Sequence, residues 1–431
     1  MKKKKVIQRI GSLLLVAVLL LHPPQAFEVN AAEMKDVDAR IEEAIDGAVD
    51  WCRQGQDTLF TPEFNAGLGN SVTDWLALDI GRLGIKDDYE AALEALETYV
   101  TEAYQTEELL HRAKSTEWHR ISLTVLALGG DPTAFGTNVQ GKPVDLIADG
   151  TYNRGYINSL GAQGLNGWIW GLITLDAMRY EVPEGSYNTR EDILEEILVA
   201  QEPDGGFGLM PGSPDVDMTG MALQALAPYY RNGTSVEVEK SGQIEKVTVA
   251  AAVDKALDWL SANQLADGGF VSYGSANAES TAQVIVALCS LDIDPMQDAR
   301  FIKNGYTLLD ALLSFRQENG SFVHTYDGTG EDLMATEQSL YALCAMYRQR
   351  NGYRTLYDFR PEDSTQETYS SGAGAVTKIL PSLDEQPLIR YFLIGAVIGV
   401  GILSVILLIT LLHKRKGKPK TKKEEVRNDN W

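Results

Sequence analysis

The 431-residue chain carries 38 basic and 60 acidic side chains, which gives a formal net charge of −22 at pH 7. A strongly acidic protein repels phosphate backbones, so we expect no nucleic-acid partner. With 3 cysteines and 5 histidines, the sequence supports neither a disulfide framework nor a histidine-rich metal site.

The N-terminal residues have the three parts of an export signal. A basic start at residues 2–5 precedes an apolar run at 10–21, which is too short to span a bilayer comfortably. Residues 29–31 then supply the small-residue pattern at which a signal peptidase cleaves. We therefore predict a signal peptide over 1–32; an uncleaved N-terminal anchor is the alternative.

A repeat of about fifty residues runs through the body of the chain. Similar apolar segments end in a leucine at the same point of each repeat, namely Leu78, Leu128, Leu175, Leu226, Leu288 and Leu343. Such a period indicates stacked supersecondary units. The longest interval, between Leu226 and Leu288, contains valines that alternate with polar residues around Gly242, and this pattern predicts a β-hairpin inserted at 234–249.

Each unit is predicted to contain one water-facing helix and one buried helix. Segments such as 192–201 and 253–264 mix charged and apolar residues at helical spacing, whereas 218–230 and 281–291 are apolar nearly all round. The composition shows no polar capping repeat of the kind that ends an open solenoid. We therefore expect an all-α fold over 33–360: a closed (α/α)6 toroid of six inner and six outer helices, with the small hairpin inserted.

The turn between the two helices of a pair has its own motif. Gln201, Gly205 and Phe207 form a Q-x3-G-x-F pattern that recurs at 264–270. The glycine permits positive φ beyond a helix end, the glutamine can bond the backbone of the turn, and the phenylalanine can fill the gap between the rings. This motif resembles the Q-x3-G-x-W of squalene and oxidosqualene cyclases, and the repeat over 35–350 resembles the prenyltransferase and squalene-oxidase repeat.

The resemblance implies the α/α toroid of terpenoid cyclases and of protein prenyltransferase β-subunits. In particular the chain resembles surface proteins of Gram-positive bacteria that carry this repeat, and more distantly the toroids of intrinsic factor and transcobalamin. These families differ in activity, so the resemblance implies the fold without selecting a function. The Asp, Cys and His that bind zinc in protein prenyltransferases have no counterpart in register, and no metal is expected.

Polar and aromatic residues gather where the second and third inner helices are predicted to begin. Glu117 and His119 lie at the start of one helix, and Trp168 and Trp170 at the start of the other. Aromatic side chains that line a ring-shaped cavity suit a flat or apolar ligand, or a sugar. A histidine beside a glutamate can also act as a general acid or base. We predict these four residues as ligand-binding; ordinary filling of the barrel centre is the alternative.

The predicted start of the fourth inner helix carries two aspartates. Asp215 and Asp217, followed by Thr219, resemble the D-x-D-D-T-A motif of class II terpenoid cyclases, whose middle aspartate protonates an alkene or epoxide. The resemblance makes Asp217 the candidate catalytic acid, although Met218 replaces the third aspartate. Glu279 takes the equivalent place in the next unit, so the predicted ligand-binding set includes it with Asp215, Asp217 and Thr219. The alternative is that Asp217 is the N-cap of its helix.

The C-terminal part of the sequence predicts a membrane anchor. Residues 361–387 are rich in Ser, Thr and Glu and predict a disordered stalk. The predicted transmembrane helix, 388–412, contains an uncharged run long enough to span a bilayer. The basic tail at 413–431 predicts a cytoplasmic end, with the body outside the cell. The expected location is therefore the cell membrane, crossed once.

These features together predict a cell-surface binding protein in preference to an enzyme. The toroid would hold a small molecule, cobalamin-like or apolar, or an extracellular protein partner, in the ring or at its rim. Cobalamin is implied as a ligand by the resemblance to its carriers, and no cofactor is expected. Two alternatives stay open: a terpenoid-cyclase-like lyase or isomerase that uses Asp217, and a carbohydrate-active (α/α)6 enzyme that pairs Asp217 with Glu279.

Overall fold

The computed structural model describes residues 25–361 without 156–158, 241, 273 and 329, and it describes side chains from residue 36 onward. The predicted stalk beyond residue 361, the predicted transmembrane helix and the tail lie outside these residues, as does most of the predicted signal peptide. Helix α1 begins at Gln25, within that predicted signal peptide. None of the helices in the described part is long and apolar enough to cross a membrane.

Twelve helices alternate between an outer and an inner ring, as the repeat predicts. The outer helices are α1 (Gln25–Arg53), α4 (Tyr89–Thr106), α6 (Leu146–Gly150), α8 (Arg190–Val199), α10 (Val249–Asn263) and α12 (Leu308–Leu313). The inner helices are α3 (Ser71–Leu83), α5 (Thr116–Ala127), α7 (Leu165–Ala177), α9 (Val216–Tyr230), α11 (Ala278–Ser290) and α13 (Leu333–Arg350). A short helix, α2 (Pro62–Asn65), and 3-10 turns at Pro132–Ala134, Leu160–Gln163 and Ala299–Phe301 lie in the connections.

The ring is closed. Each inner helix packs on the next, and the last, α13, packs on both α3 and α1. At the seam, the backbone of Gly320 approaches Gly47 so closely that an added Cβ would lie 2.2 Å from the Gly47 carbonyl oxygen. Arg40 and Asp310 form an ion pair of 2.7 Å across the same seam, between α1 and α12. These contacts confirm the closed toroid and exclude an open solenoid.

The geometry of the Q-x3-G-x-F turn follows from its hydrogen bonds. The Gln201 side-chain amide donates to the carbonyl oxygens of Gly205, at 2.9 Å, and Ala252, at 2.8 Å. Gly205 has a φ of +103°, and an added Cβ would lie 2.6 Å from the Lys255 carbonyl oxygen. Phe207 is completely buried. The turn therefore joins one pair to the next outer helix, as the motif predicts.

Two hairpins interrupt the helices. Strands β1 (Ser235–Lys240) and β2 (Gln243–Thr248) pair antiparallel, which confirms the predicted insertion. A second, smaller hairpin of β3 (Val271–Ser272) and β4 (Ser275–Ala276) precedes α11 and was not predicted. Its strands have two residues each, too few for a period-2 pattern to be recognised.

The segment after α13, residues 351–361, folds back across the ring at the C-terminal ends of the inner helices. Arg82 of α3 donates to the Thr355 carbonyl oxygen at 2.8 Å, and the Phe359 backbone N–H donates to the Ala177 carbonyl oxygen at 2.8 Å. Tyr357 is buried within the ring. This segment therefore plugs one end of the toroid and leaves the other end open.

Candidate functional site

A cavity of about 800 Å³ opens where the inner helices begin. Its lining is mixed: carboxylates, amides and hydroxyls alternate with aromatic rings and two methionines. A smaller cavity of about 230 Å³ lies toward the opposite ends of the inner helices. Tyr357 contributes to both linings, so it belongs to the partition between them.

The mouth of the cavity is built by one position of the repeat. The second residue of five inner helices lines it, namely Glu117, Asn166, Asp217, Glu279 and Met334. One helical turn deeper, the cavity is lined by Trp170, Met221, Gln283 and Gln338. Equivalent positions of stacked repeats lie at the same level of the ring. The lining residues therefore form two tiers, one at the mouth and one a helical turn deeper.

Asp217 lies in the mouth tier and accepts a hydrogen bond of 3.1 Å from the Ser272 hydroxyl on β3. Its other carboxylate oxygen is buried and has no hydrogen-bond partner among the described residues. The N-cap of α9 is Asp215, whose Oδ1 accepts from the Met218 backbone N–H at 2.8 Å. The suggestion that Asp217 is the N-cap is therefore wrong: Asp215 caps the helix, and Asp217 faces the cavity.

Thr219 has a structural position. Its hydroxyl accepts from the Phe207 backbone N–H at 2.9 Å and donates to the Asp215 carbonyl oxygen at 2.7 Å. Thr336 makes the equivalent bonds to Phe322 in the last unit. Thr219 is completely buried and does not line the cavity. The recurring threonine thus ties the phenylalanine of the turn to the start of the inner helix.

Glu279 is paired at the mouth with His324, a residue that the sequence analysis missed. Glu279 Oε2 and His324 Nδ1 lie 2.9 Å apart. Burial raises the pKa of Glu279 above its ordinary value. His324 belongs to the irregular segment between α12 and α13, where no periodicity could indicate that it faces the cavity.

Glu117 is held by Arg120, which joins the first two inner helices. The Arg120 guanidinium donates to Glu117 at 2.7 Å and to Asp74 at 2.8 Å. It also donates to the Gly69 carbonyl oxygen at 2.8 Å. Glu117 and Arg120 both line the cavity, so this wall carries a hydrogen-bonded network in which one guanidinium holds two carboxyl groups.

Besides Asp215 and Thr219, two further predicted ligand-binding residues lie outside the cavity lining. His119 is completely buried, and its Nε2 lies 2.7 Å from the Gly150 carbonyl oxygen. Burial lowers the pKa of His119 to about 3, so the ring is neutral at pH 7. Trp168 packs against Gly161 and is not part of the lining. The structure thus separates both residues from Glu117 and Trp170, which line the cavity.

Aromatic rings form the floor. The Trp170 ring centroid lies 5.0 Å from that of Trp75 and 5.5 Å from that of Tyr357. The Tyr357 hydroxyl donates to Tyr341 at 2.8 Å, and the Tyr341 hydroxyl donates to Gln224 at 2.8 Å. This hydrogen-bonded chain fixes the partition between the two cavities.

Two buried acids adjoin the floor. Asp79 on α3 is completely buried, and neither of its carboxylate oxygens has a hydrogen-bond partner in the described part of the chain. Glu337 on α13 is 3% exposed and lines the cavity. Burial, and then the charge of Glu337, raises the pKa of Asp79 well above its usual range. Burial, and then the charge of Glu279, does the same to the pKa of Glu337.

The prenyltransferase α/α toroid domain model matches residues 150–246 and 244–357. This part of the chain is a prenyltransferase α/α toroid. None of the curated proteins matches the chain significantly.

Two kinds of solved structure resemble the toroid. A variant of the type II terpene cyclase MstE from Scytonema, in complex with geranylgeranyl dihydroxybenzoate, is 13% identical, with a TM-score of 0.46 over 72% of this chain and 99% of that one. Protein geranylgeranyltransferase-I from Candida albicans, complexed with GGPP, is 11% identical, with a TM-score of 0.44 over 72% of this chain and 92% of that one.

The cysteines of the toroid are not arranged as a reactive or metal-binding set. Cys289 and Cys344 are buried thiols at equivalent places in α11 and α13, and both are free. Burial raises the pKa of Cys52 to about 12. Among the residues that the structure describes, no group of three or more His, Cys, Asp or Glu side chains could hold a metal ion.

Proposed function

We propose that the toroid is a binding module that holds a hydroxyl-rich small molecule, of the sugar class, in the cavity at the start of the inner helices. The observation that carries this proposal is a pair of buried acceptors in the lining. Asp217 Oδ1 and Asn166 Oδ1 have no hydrogen-bond partner among the described residues, although both side chains face the cavity. Unpaired acceptors at a cavity wall are completed by a ligand that donates hydrogen bonds.

The aromatic floor supports the same ligand class. Trp75 and Trp170 lie below the mouth tier, where the apolar face of a sugar ring can stack while its hydroxyls reach the amides above. An apolar ligand suits this cavity less well, because Gln283 and Gln338 would lose water without gaining partners. The ligand proposed from the lining is therefore a polar sugar, in place of the cobalamin-like or apolar small molecule expected from the sequence.

The lining also disfavours the terpenoid-cyclase alternative. A carbocation survives in a dry apolar pocket, whereas the amides of Asn166 and Gln283 and the Ser272 hydroxyl are nucleophiles that would trap it. The third aspartate of the cyclase motif is replaced by Met218, which is buried against the core. We therefore propose a ligand-binding role for Asp217 and not catalysis.

We further propose that the ring is displayed on the outer face of a cell membrane. The export-signal pattern over 1–32 and the uncharged run followed by a basic tail support this location. Protease treatment of intact cells that express the full chain should remove the toroid and spare the tail. Protection of the toroid in intact cells would contradict the proposal.

Isothermal titration of the full-length protein with cello-, chito- and malto-oligosaccharides tests the binding proposal, with cobalamin and geranylgeranyl diphosphate as competing ligand classes. Trp168 and Trp170 lie on the same helix and form a matched pair, because Trp170 belongs to the cavity lining and Trp168 does not. Trp170→Phe should weaken oligosaccharide binding about fivefold through lost stacking, and Trp168→Phe should leave it unchanged. Binding of cobalamin or the diphosphate alone, or equal effects of both variants, would refute the proposal.

A further inference from the structure

The floor of the cavity has an acid and an aromatic ring on each of two neighbouring inner helices. On α3, Trp75 and Asp79 are one helical turn apart; on α13, Glu337 and Tyr341 are one turn apart. Residues at this spacing share a face of a helix, and α13 packs directly on α3 at the ring closure. The closed toroid thus brings two carboxyls and two rings from opposite ends of the repeat to one place.

No cation balances these acids in the described structure. Neither Asp79 nor Glu337 forms an ion pair or a hydrogen bond among the described residues. The charge of Glu279 on α11 acts on Glu337. The acids in turn raise the pKa values of their neighbours, which are Cys52 on α1, Tyr341 and Cys344 on α13, and Tyr357 of the plug.

The two arginines that act electrostatically on the neighbouring Cys344 thiol, Arg348 and Arg82, are hydrogen-bonded elsewhere. Arg348 donates to the Arg82 carbonyl oxygen, and Arg82 donates to the carbonyl oxygens of Thr355 and Asp358. Both guanidinium groups therefore stabilise the plug at the other end of the ring. Burial raises the pKa of Asp79 and of Glu337 above their ordinary values, which favours the protonated form of each carboxyl.

Glu337 faces the cavity and is more than nine-tenths buried, and its carboxyl group has no hydrogen-bond or ion-pair partner among the described residues. A group of the ligand can therefore supply that partner. A positive charge at this place would favour the ionised form of Glu337, with the second acid on the adjoining helix and with Trp75 and Trp170 in the same lining. Metal ions are a poor fit, because the described residues contain no group of three suitable ligands. An organic ammonium matches both the acids and the rings.

We propose that the ligand carries an ammonium group that docks on Glu337 at the floor of the cavity, which makes an amino sugar with a free amine the class of ligand. This inference rests on the proposed function, since it assigns one end of the sugar-binding cavity. The ammonium group stays protonated when it binds, and the acid pair releases one proton to solvent, so a carboxylate forms beside the bound cation. No covalent bond forms or breaks.

A matched pair of probes tests the proposal on the full-length protein. The glucosamine tetrasaccharide carries free amines, and the N-acetylglucosamine tetrasaccharide of the same length carries none. Calorimetric titrations near pH 6.5 in two buffers of different ionisation enthalpy should show tighter binding of the free amine, by about tenfold, with release of roughly one proton. This measurement needs no variant.

Variants of the two buried acids test whether Glu337 is the group that binds the amine. Glu337→Gln should reduce binding of the free amine about tenfold and abolish proton release, while changing binding of the N-acetylated probe less than twofold. Asp79→Asn should act in the same direction, since it removes the second acid of the pair. Equal binding of both probes without proton release would overturn the inference and leave the sugar-binding proposal intact. Failure of every neutral and amine-bearing oligosaccharide to bind would overturn both.

Discussion

Trp75 and Trp170 lie with their ring centroids 5.0 Å apart, although they belong to the first and third inner helices. The contact crosses the interior of the ring, past the helix between them. It is possible because the inner helices begin at one level, so residues near their N-terminal ends converge. Residues from different repeats therefore form the floor of the cavity together, and they meet because the inner helices form a ring.

We predict that the two aspartates at the start of α9 differ sharply in their effect on stability. Asp215→Ala should lower the free energy of unfolding by about 1 kcal/mol, because it removes the side-chain cap of the helix. Asp217→Asn should change it by less than about 0.5 kcal/mol, since an amide oxygen can still accept from Ser272. Urea denaturation of the two variants provides the measurement. A larger loss for Asp217→Asn would contradict the assignment of the cap.

The seam of the ring should be sensitive to one added methyl group. Gly320→Ala forces a positive φ of 93° on an L-residue and places its Cβ 2.2 Å from the Gly47 carbonyl oxygen. We expect a loss of at least about 2 kcal/mol. Gly330→Ala is the matched control, because Gly330 also has positive φ but no atom lies within 4 Å of an added Cβ. Equal melting temperatures for the two variants would argue against a tight seam.

Stability should fall as pH rises above the ordinary carboxyl range. Asp79 and Glu337 have raised pKa values in the folded protein, against ordinary values of 3.8 and 4.5. The folded state therefore binds more protons than the unfolded state, and the stabilisation present below the unfolded pKa is lost as pH rises through the folded pKa. The double variant Asp79→Asn, Glu337→Gln should flatten the dependence of the melting temperature on pH. If the double variant keeps the wild-type slope of melting temperature against pH, groups other than Asp79 and Glu337 cause the dependence.

Acid should destabilise the protein through a different group. The pKa of His119 falls from 6.5 to about 3 on folding, because the ring is buried. The unfolded state then binds more protons between these pH values, so the contribution of His119 to stability is lost as pH falls below about 6.5. His119→Gln, which keeps a donor for the Gly150 carbonyl oxygen, should reduce this loss. Thermal melts between pH 4 and about 7 test it; a wild-type slope in the variant would contradict the prediction.

Much of the fold follows from the sequence because its signals are periodic. The leucine spacing predicted six pairs, and the alternating valines around Gly242 predicted the first hairpin. The glutamine, glycine and phenylalanine of the turn make the predicted contacts. The plug at 351–361 escaped prediction because an irregular segment buries single residues, such as Tyr357, without any period.

The site was predictable only in part. Asp217, Glu279, Glu117 and Trp170 line the cavity, because the start of an inner helix faces the mouth. The level of a residue along an inner helix does not determine which way its side chain faces. His119 and Trp168 lie at the same level as the lining residues, but their side chains face away from the cavity. Asp79 and Glu337 carry a sequence signal for the buried acid pair, because both are acids within apolar inner helices. A charge buried there is costly unless it is paired or neutralised by protonation.

The sharpest test of ligand binding in the ring is a crystal structure of the protein grown with the glucosamine tetrasaccharide. We expect a sugar ring stacked on Trp170, hydroxyls hydrogen-bonded to Asp217 and Asn166, and an amine beside Glu337. A tetrasaccharide bound on the outer ring, or a cavity that holds no sugar at a concentration saturating in calorimetry, would contradict this expectation.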